Sequence, residues 1–565
     1  MKRRVWIVAL ASSLAFAGLA VRLFQFQVIG SRDLSIAAVA QRAHGIALED
    51  ARGQIYDRNR IPLTDSRLLN AVVFPSLVKD ASATASRLSQ ALGIERDLAL
   101  DIISGEKPAV LKHGLSAEEA SLLRSMQRSA EGDGVFVVEG QERYSPASLA
   151  RHIIGYTGGQ GEGLAGIEKV FDRELSGSSP GTFSVIVDAM GRHVPGLGYR
   201  LQGAGGQDGR LDVVLTIDRR VQAIVERLLD SKFAWDGPES PAGAAVVVLD
   251  ARTGEILASA SRPNYDQSLV SGYLADRRAP LLNRAVCAYA PGSVFKIVTA
   301  AAAMEEGCVG LGETFICTGS VSVGPLGFEC ASIDRGGHGV ITFREALAES
   351  CNVAFIQVGQ RVGAARLTRY AGLFGFGRPT GALAAGESSG QVPAGAGMTA
   401  GDLANLSIGQ WRLTVTPLQV GQAVTAIING GRMLPATLVR EVCDTRGRVV
   451  RAFPRPKPVQ VISPSTAAWL RNALFDATRS GSASAAFIEG LGSAGKTGSA
   501  ETGKRAGGQN VLHAWFAGYA PAYAPRYVCC VFVEEGGYGG TVAAPLFHDI
   551  MAELLRRPPA PAQSR

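Results

Sequence analysis

Ser293 and Lys296 stand three residues apart in "YAPGSVFKIVTA" (289–300), directly after a Pro-Gly pair. Pro291 and Gly292 break the preceding segment, and "SVFKIVTAAAAMEEG" predicts a helix that closes at Gly307. Residues three apart on a helix share a face. A serine hydroxyl is a poor nucleophile unless a base lies beside it. A lysine can be that base when burial and nearby positive potential lower its pKa. A helix N-terminus supplies such potential and aims N–H groups at a developing oxyanion. An S-x-x-K alone is a weak signal, since an N-cap serine and a solvated lysine produce the same pattern.

Two more segments strengthen it. "EALAESCNVAF" carries Ser350 and Asn352 at the end of an amphipathic stretch that begins at Thr342. "AGKTGSAET" carries Lys496, Thr497, Gly498 and Ser499 in what reads as a strand. S-x-x-K, S-x-N and K-T-G in that order form the signature set of β-lactamases and penicillin-binding proteins. The chain resembles the class B penicillin-binding proteins over residues 1 to about 555. "RGQIYDRN" (52–59), "GLAGIEKVFDRELSG" and "DAMGR" are similar to motifs of that family's non-catalytic region. "SIGQWRLTVTPLQ" (407–419) and "HAWFAGYAP" are similar to its catalytic domain. Arg60 departs from the family's usual glycine, Ala147 replaces another, and Ser499 follows K-T-G where threonine is commoner.

The elements that must position these residues fall into two halves. Residues 80–130 predict short helices, with apolar residues at helical spacing in "DASATASRLSQALGI" and "SAEEASLLRSM". Residues 135–210 read as Gly-rich turns and short strands. "LQGAGGQDGRLD" reads as a linker, with the main boundary near 210. Beyond it, "TIDRRVQAIVERLLD" predicts an amphipathic helix, and "GAAVVVLDARTGEILASA" two strands joined at Thr253-Gly254. "AGKTGSAET", "HAWFAGYAP" and "RYVCCVFVEE" predict three more strands. One antiparallel sheet built from both ends of a domain, with helices packed on it, accounts for that order, an α+β fold.

The N-terminus pairs "MKRR" with an uncharged apolar run from Val5 to Val21. That run is just long enough to span a bilayer, and Lys2, Arg3 and Arg4 place its start in the cytoplasm. A cleaved signal peptide is the alternative, but "VRLFQFQVI" continues the helical pattern past any small-x-small site. The rest of the chain is then expected outside the cytoplasm. A net charge of +7 over 565 residues suits a membrane surface or an anionic substrate. It argues against nucleic acid, because no dense basic stripe with interleaved aromatics occurs. The eight cysteines include no C-x-x-C pair, which speaks against a zinc ribbon. Cys317 and Cys330 flank a Gly-rich loop and could pair as a disulfide, or be small buried fillers. Cys351 is expected to point into the core. His338 and His513 are expected to be structural, since no G-x-S-x-G elbow surrounds any serine. Trp411 and Trp515 read as core or cleft wall, and Arg52 and Arg58 as ion-paired to Asp57 or bonded to backbone.

The resemblance implies more. It implies a short cytoplasmic tail and single transmembrane anchor (1–28), an elongated α+β pedestal of the dimerisation type (29–210), a transpeptidase domain with a five-stranded antiparallel sheet flanked by helices (211–556), and a disordered tail (557–565). It implies a peptidoglycan D,D-transpeptidase that works through a serine acyl-enzyme, releases D-alanine and is acylated by β-lactams. Ser293 is then the nucleophile, Lys296 its base, Ser350 the proton relay and Asn352 the orienting group. Lys496 and Thr497 hold the terminal carboxylate, Gly498 admits the substrate backbone, and the N–H groups of Ser293 and Ser499 form the oxyanion hole. Expected partners are stem peptides, the plasma membrane and a SEDS-family glycan polymerase with other wall-synthesis proteins. No metal or organic cofactor is implied. The rivals are a membrane-tethered serine β-lactamase and a non-catalytic sensor or scaffold. Against the first, no E-x-x-L-N setting lies between S-x-N and K-T-G; against the second, no motif residue is lost and only four residues precede the anchor.

Overall fold

The computed structural model describes residues 2–26, 43–47, 52–64, 66–128, 134–159, 161–176, 182–186, 199–202, 209–235, 237, 240–383 and 385–556. The "DAMGR" segment, half of the linker, the last two residues of the expected anchor and the C-terminal tail lie outside these residues. The chain forms two compact units. One takes residues 1–52, 65–143 and 177–209; the other takes 53–64, 144–176 and 210–565. Lys2–Phe24 is one helix, and its stretch Trp6–Phe24 is apolar for 19 residues with mean hydropathy 2.0 and no burial. In the smaller unit, Ser66–Val73 pairs antiparallel with both Ala109–Lys112 and Val135–Glu142. The expected helices Ala81–Leu92, Arg96–Ile103 and Ala117–Arg128 close over it, with Ala71, Val73, Leu88 and Leu123 in the core. Asp80 caps the first of them by accepting from the Ala83 N–H.

The larger unit is organised on the sheet anticipated from both ends of the domain. Its strands are β1 (Gly243–Asp250), β2 (Ile256–Arg262), β3 (Ala494–Ala506), β4 (Gln509–Ala520) and β5 (Tyr527–Glu534). They run antiparallel in the order β2-β1-β5-β4-β3, so β3 is an edge. β1, β2 and β5 are buried almost throughout, because helices cover both faces. Alternate residues therefore enter two cores. Val246, Val248, Phe516 and Val531 join the core of helix α1 (Arg219–Lys232). Val247, Leu249, Trp515 and Phe532 join that of helix α2 (Lys296–Glu305). Helices α3 (Phe343–Ala348), α4 (Asn352–Val362) and α5 (Pro417–Ile428) belong to the second core as well.

Between the early and late strands, the sequence reading foresaw only helix and loop. The structure adds two-stranded ribbons, Thr314–Cys317 with Gly339–Thr342 and Ser320–Val323 with Leu326–Glu329. Their strands are four residues long and broken by glycines, too short for a periodic signal. Ile55-Tyr56, inside "RGQIYDRN", lies parallel to Val213-Val214 and belongs to the larger unit. There Arg58 pairs with the buried Glu255 at 2.9 Å, a correction to the expected pairing with Asp57 or with backbone groups. Asp57 is occupied by the N–H groups of Asn59, Ile61 and Arg219. Arg60 takes φ +60, which explains why glycine suits that position, and its side chain pairs with Glu441 at 2.6 Å.

A second buried network locks β2 to α1. Arg262, 2% exposed, reaches Asp230 at 2.5 Å and Glu226 at 3.0 Å. Glu226 also accepts from the Ala150 N–H at 2.7 Å and from Gln222 at 2.8 Å. Removing the guanidinium would leave Glu226 buried without its counter-charge, a loss worth about 3–5 kcal/mol in such pairs. Arg262→Ala is expected to lower the Tm of the full chain by several degrees in a thermal melt. Removing the stranded charge as well, in Arg262→Met with Glu226→Gln, should recover part of that loss.

Candidate active site

Ser293 lies in a tight 3-10 turn, Gly292–Phe295, that runs straight into α2. Three contacts hold this turn in place, one from the sheet and two from the segment after Ser407. The Trp515 indole donates to the Ala290 carbonyl at 3.0 Å. Tyr289 and Val415 exchange backbone bonds at 2.9 and 2.8 Å. The Gly292 N–H donates to the Gly409 carbonyl at 2.9 Å. Gly292 has φ +55, and a Cβ there would sit 2.8 Å from the Ser499 carbonyl oxygen. A side chain is thus excluded by conformation and by space.

Lys296, one turn on, has no solvent exposure. Its Nζ donates to the Ser350 carbonyl at 2.6 Å and to Asn352 Oδ1 at 2.6 Å, with Ser350 Oγ at 3.3 Å. The amide of Asn352 is oriented by its own donor, which goes to the Glu329 carbonyl at 2.8 Å and leaves Oδ1 for the lysine. Burial pushes Lys296 down to about 8, with the neighbouring Cys330 and Cys351 sulfurs opposing the drop.

The S-x-N tripeptide closes the helix that begins at Thr342, as the periodicity suggests, and also opens the next one, so it is the hinge between two. Helix α3 starts with a capping box at Thr342 and Glu345. It ends with Cys351 N–H bonded to Ala346 O at 2.9 Å and Ser350 N–H to Leu347 O at 3.3 Å. That bond pair is a Schellman stop, whose left-handed position is usually glycine. Here it is Ser350, at φ +59. Helix α4 then starts at Asn352, with the Cys351 Sγ accepting from the Ala354 N–H at 3.5 Å. Stopping one helix and starting the next within three residues turns the Ser350 carbonyl and the Asn352 amide onto one lysine.

The K-T-G segment lies on β3, with Lys496 opposite Ala517 and Gly498 opposite Trp515. Lys496 is fully buried and donates to the Thr497 carbonyl at 3.0 Å and Oγ1 at 3.4 Å. Burial first, and the charge of Lys296 second, pull its pKa well below the ordinary lysine value, while Glu349 opposes them. Sequence reading missed Glu349, since a charge next to Ser350 carries no pattern. A Cβ at Gly498 would lie 2.8 Å from the Pro291 carbonyl oxygen and 2.9 Å from Val294. The glycine lets β3 press against the turn that holds Ser293, a reason in addition to any approach by a substrate. Ser499 accepts from the Gly539 N–H at 3.1 Å.

All eight candidate residues therefore lie on three elements that meet at one place. Cys317 and Cys330 are free thiols, not a disulfide. Cys351 is buried, as expected of a core residue. His513 is a packing residue, accepting from the Glu535 N–H at 3.1 Å between Tyr289 and Phe532. Trp515 is core, while Trp411 is 36% exposed and left-handed at φ +71.

This architecture has known counterparts. Residues 244–552 match the family described as the penicillin binding protein transpeptidase domain, and residues 48–208 the penicillin-binding protein dimerisation domain. The chain is 32% identical to stage V sporulation protein D of Bacillus subtilis, over 98% of this chain and 86% of that one. The crystal structure of penicillin binding protein 3 from Mycobacterium tuberculosis complexed with ampicillin is 27% identical, with a TM-score of 0.64, over 90% of this chain and 96% of that one. A structure described as coordination of polymerization and crosslinking by a peptidoglycan synthase complex is 28% identical, with a TM-score of 0.73, over 97% of this chain and 98% of that one. With a dimerisation domain ahead of a transpeptidase domain, the chain belongs to the class B penicillin-binding proteins.

Proposed function

We propose that this chain cross-links peptidoglycan as a serine D,D-transpeptidase, with Ser293 as its acylated residue. The observation that carries the reading is the buried Lys296 amine. A neutral amine has two N–H donors and one lone pair. The Ser350 carbonyl and Asn352 Oδ1 take the two donors. The lone pair remains to accept the Ser293 proton. With its pKa at about 8, roughly a tenth of the lysine is neutral at pH 7, some 300-fold more than at the ordinary 10.5.

In the proposed cycle, the D-Ala-D-Ala end of a stem peptide lies along the free edge of β3 as an added strand. Ser293 Oγ attacks the penultimate carbonyl while Lys296 takes its proton. The N–H groups of Ser293 and Ser499 hold the oxyanion. The C–N bond breaks, and Ser350 relays a proton to the departing D-alanine amine. Lys496 and Thr497 hold the terminal carboxylate. Among the described residues no carboxylate pairs with Lys496, so the substrate would supply the missing charge. The amine of a second stem peptide attacks the ester and gives up a proton as the cross-link forms and Ser293 is released. A β-lactam enters the first half of the cycle and stays as the ester.

Lys2–Phe24 supports a single-pass anchor with the catalytic unit outside the cytoplasm, tethered to the plasma membrane. The likeness to a chain from a polymerising and cross-linking synthase complex supports a glycan polymerase of the SEDS type as the membrane partner. Tethering keeps new strands near the site at high effective concentration.

A fluorescent penicillin is expected to label the full chain with a long-lived adduct that peptide mapping places on Ser293, and Ser293→Ala should abolish labelling. Rapid turnover of the drug would favour a β-lactamase instead. The acylation rate should climb with pH and level off above about 8, because the base must be neutral. Lys296→Ala should lower the rate by about 10²–10⁴-fold. Gly498→Ala should lower it on the order of 100-fold, since β3 must retreat from the Ser293 turn by a fraction of an ångström to an ångström. A stopped-flow acylation assay measures all three.

A further inference from the structure

We propose that Cys317, Cys330, His338 and Cys351 form a tetrahedral zinc site directly beneath the S-x-N motif. Their ligand atoms all lie within 4.8 Å of one another. In a tetrahedron with Zn–S of about 2.3 Å and Zn–N of about 2.0 Å, neighbouring ligand atoms stand about 3.5–3.8 Å apart. Cys330 Sγ and His338 Nδ1 are 3.5 Å apart. Three thiolates and one imidazole make a closed, soft donor set, the composition of structural zinc sites.

The surroundings are built as a ligand shell. Cys317, Cys330 and Cys351 are each no more than 2% exposed, and all are free thiols. One disulfide could join at most two of these three thiols and would leave the third unpaired. Two of the sulfurs already accept backbone N–H groups, Cys330 from Asn352 at 3.4 Å and Cys351 from Ala354 at 3.5 Å. Such bonds steady a thiolate. His338 is half-buried and gives the ion a way in.

The ligands come from separate elements: a ribbon pinned to the core by Phe315 and Ile341, the loop that carries His338, and the start of helix α4. Cys317 ends one ribbon strand, and Gly339, its register partner, follows His338. The hairpin between Cys317 and Cys330, Ser320–Val323 with Leu326–Glu329, has no buried residue. Its half-buried Val321 packs against the core, and a metal at the base of the hairpin would hold it further. Binding Zn²⁺ to three thiols and a neutral imidazole releases three protons to solvent and leaves a cluster of net charge −1. Coordination also protects the thiols in an oxidising compartment.

The ion would act as a positioning element for the motif above it. Cys351 lies between Ser350 and Asn352, and Cys330 bonds the Asn352 N–H. Glu329, the residue before Cys330, supplies the carbonyl that orients the Asn352 amide. Both oxygens that hold Lys296 thus hang on ligands of one metal. The spacing C-x12-C-x7-H-x12-C explains why no sequence signature announced it.

The test uses the full chain purified in detergent from cells supplied with zinc, without chelator. Elemental analysis is expected to find about one zinc per chain, and cobalt exchange should give the thiolate charge-transfer and strong d–d bands of a tetrahedral site. Cys317→Ser and His338→Ala should each lose the metal, while Cys443→Ser, a buried thiol elsewhere, should keep it. Chelation of the wild type should slow β-lactam acylation by about 10–100-fold. Metal content and the cobalt spectrum do not depend on the acyl-enzyme reading. A wild-type chain with neither zinc nor the cobalt spectrum overturns the proposal, even if the variants fail to fold. So does a peptide map that joins any two of the three cysteines as a disulfide in chain isolated from cells, or zinc retained undiminished by Cys317→Ser and His338→Ala.

Discussion

A lysine with no exposed surface must find its hydrogen-bond partners inside the protein, and the rest of the site follows from where Lys296 finds them. An unpaired buried amine is costly, and a buried ammonium more so. The Ser350 carbonyl and Asn352 Oδ1 satisfy the neutral form at 2.6 Å each. To offer both, the backbone must turn between two helices within three residues. That turn places a serine in a left-handed conformation, a cost of roughly 1–3 kcal/mol. The strain is held by the capping box at one helix start, the two Schellman bonds and the Cys351 cap.

The second requirement is close approach. The nucleophile's turn and the K-T-G strand come from opposite ends of the catalytic unit and must nearly touch. Gly292 and Gly498 permit it, one leaving room for the Ser499 carbonyl and the other for the Pro291 carbonyl. Their contact is possible because β3 is the edge strand of a sheet whose other members are covered on both faces. A central strand would have been paired on both sides. The edge that an isolated domain would have to protect is here the surface a peptide can join.

Much of this was legible in the residues. The five strands announced themselves as apolar runs bounded by turn residues, and the three motifs lay where their order suggested. Those signals are local, and local signals survive in a single sequence. What was not legible depends on pairing across distance. Arg58 chose Glu255, 197 residues away, over the adjacent Asp57, because backbone donors had already filled Asp57. Ser350 reads correctly as the end of a helix, but the immediate start of a second helix at Asn352 was not legible, because the left-handed stop between them has no glycine to mark it. The cysteines were scattered over 317–351, and only folding of the ribbons gathers them. Gly498 was legible as a glycine that must be bare, but the atoms it makes room for were not.

Two buried lysines in one site pose a last constraint. Neither has a carboxylate at ion-pair distance among the described residues, and each disfavours charge on the other. Lys496 is depressed by burial and then by Lys296 itself. The site therefore resists holding two positive charges. Under the proposed mechanism, an arriving carboxylate changes the balance, because an anion beside Lys496 favours its ammonium form. A charged Lys496 in turn raises the cost of protonating Lys296. The same substrate group that is recognised at one lysine thus helps keep the other neutral, as a base requires. The two residues can divide the work of cation and base only because they share one desolvated space.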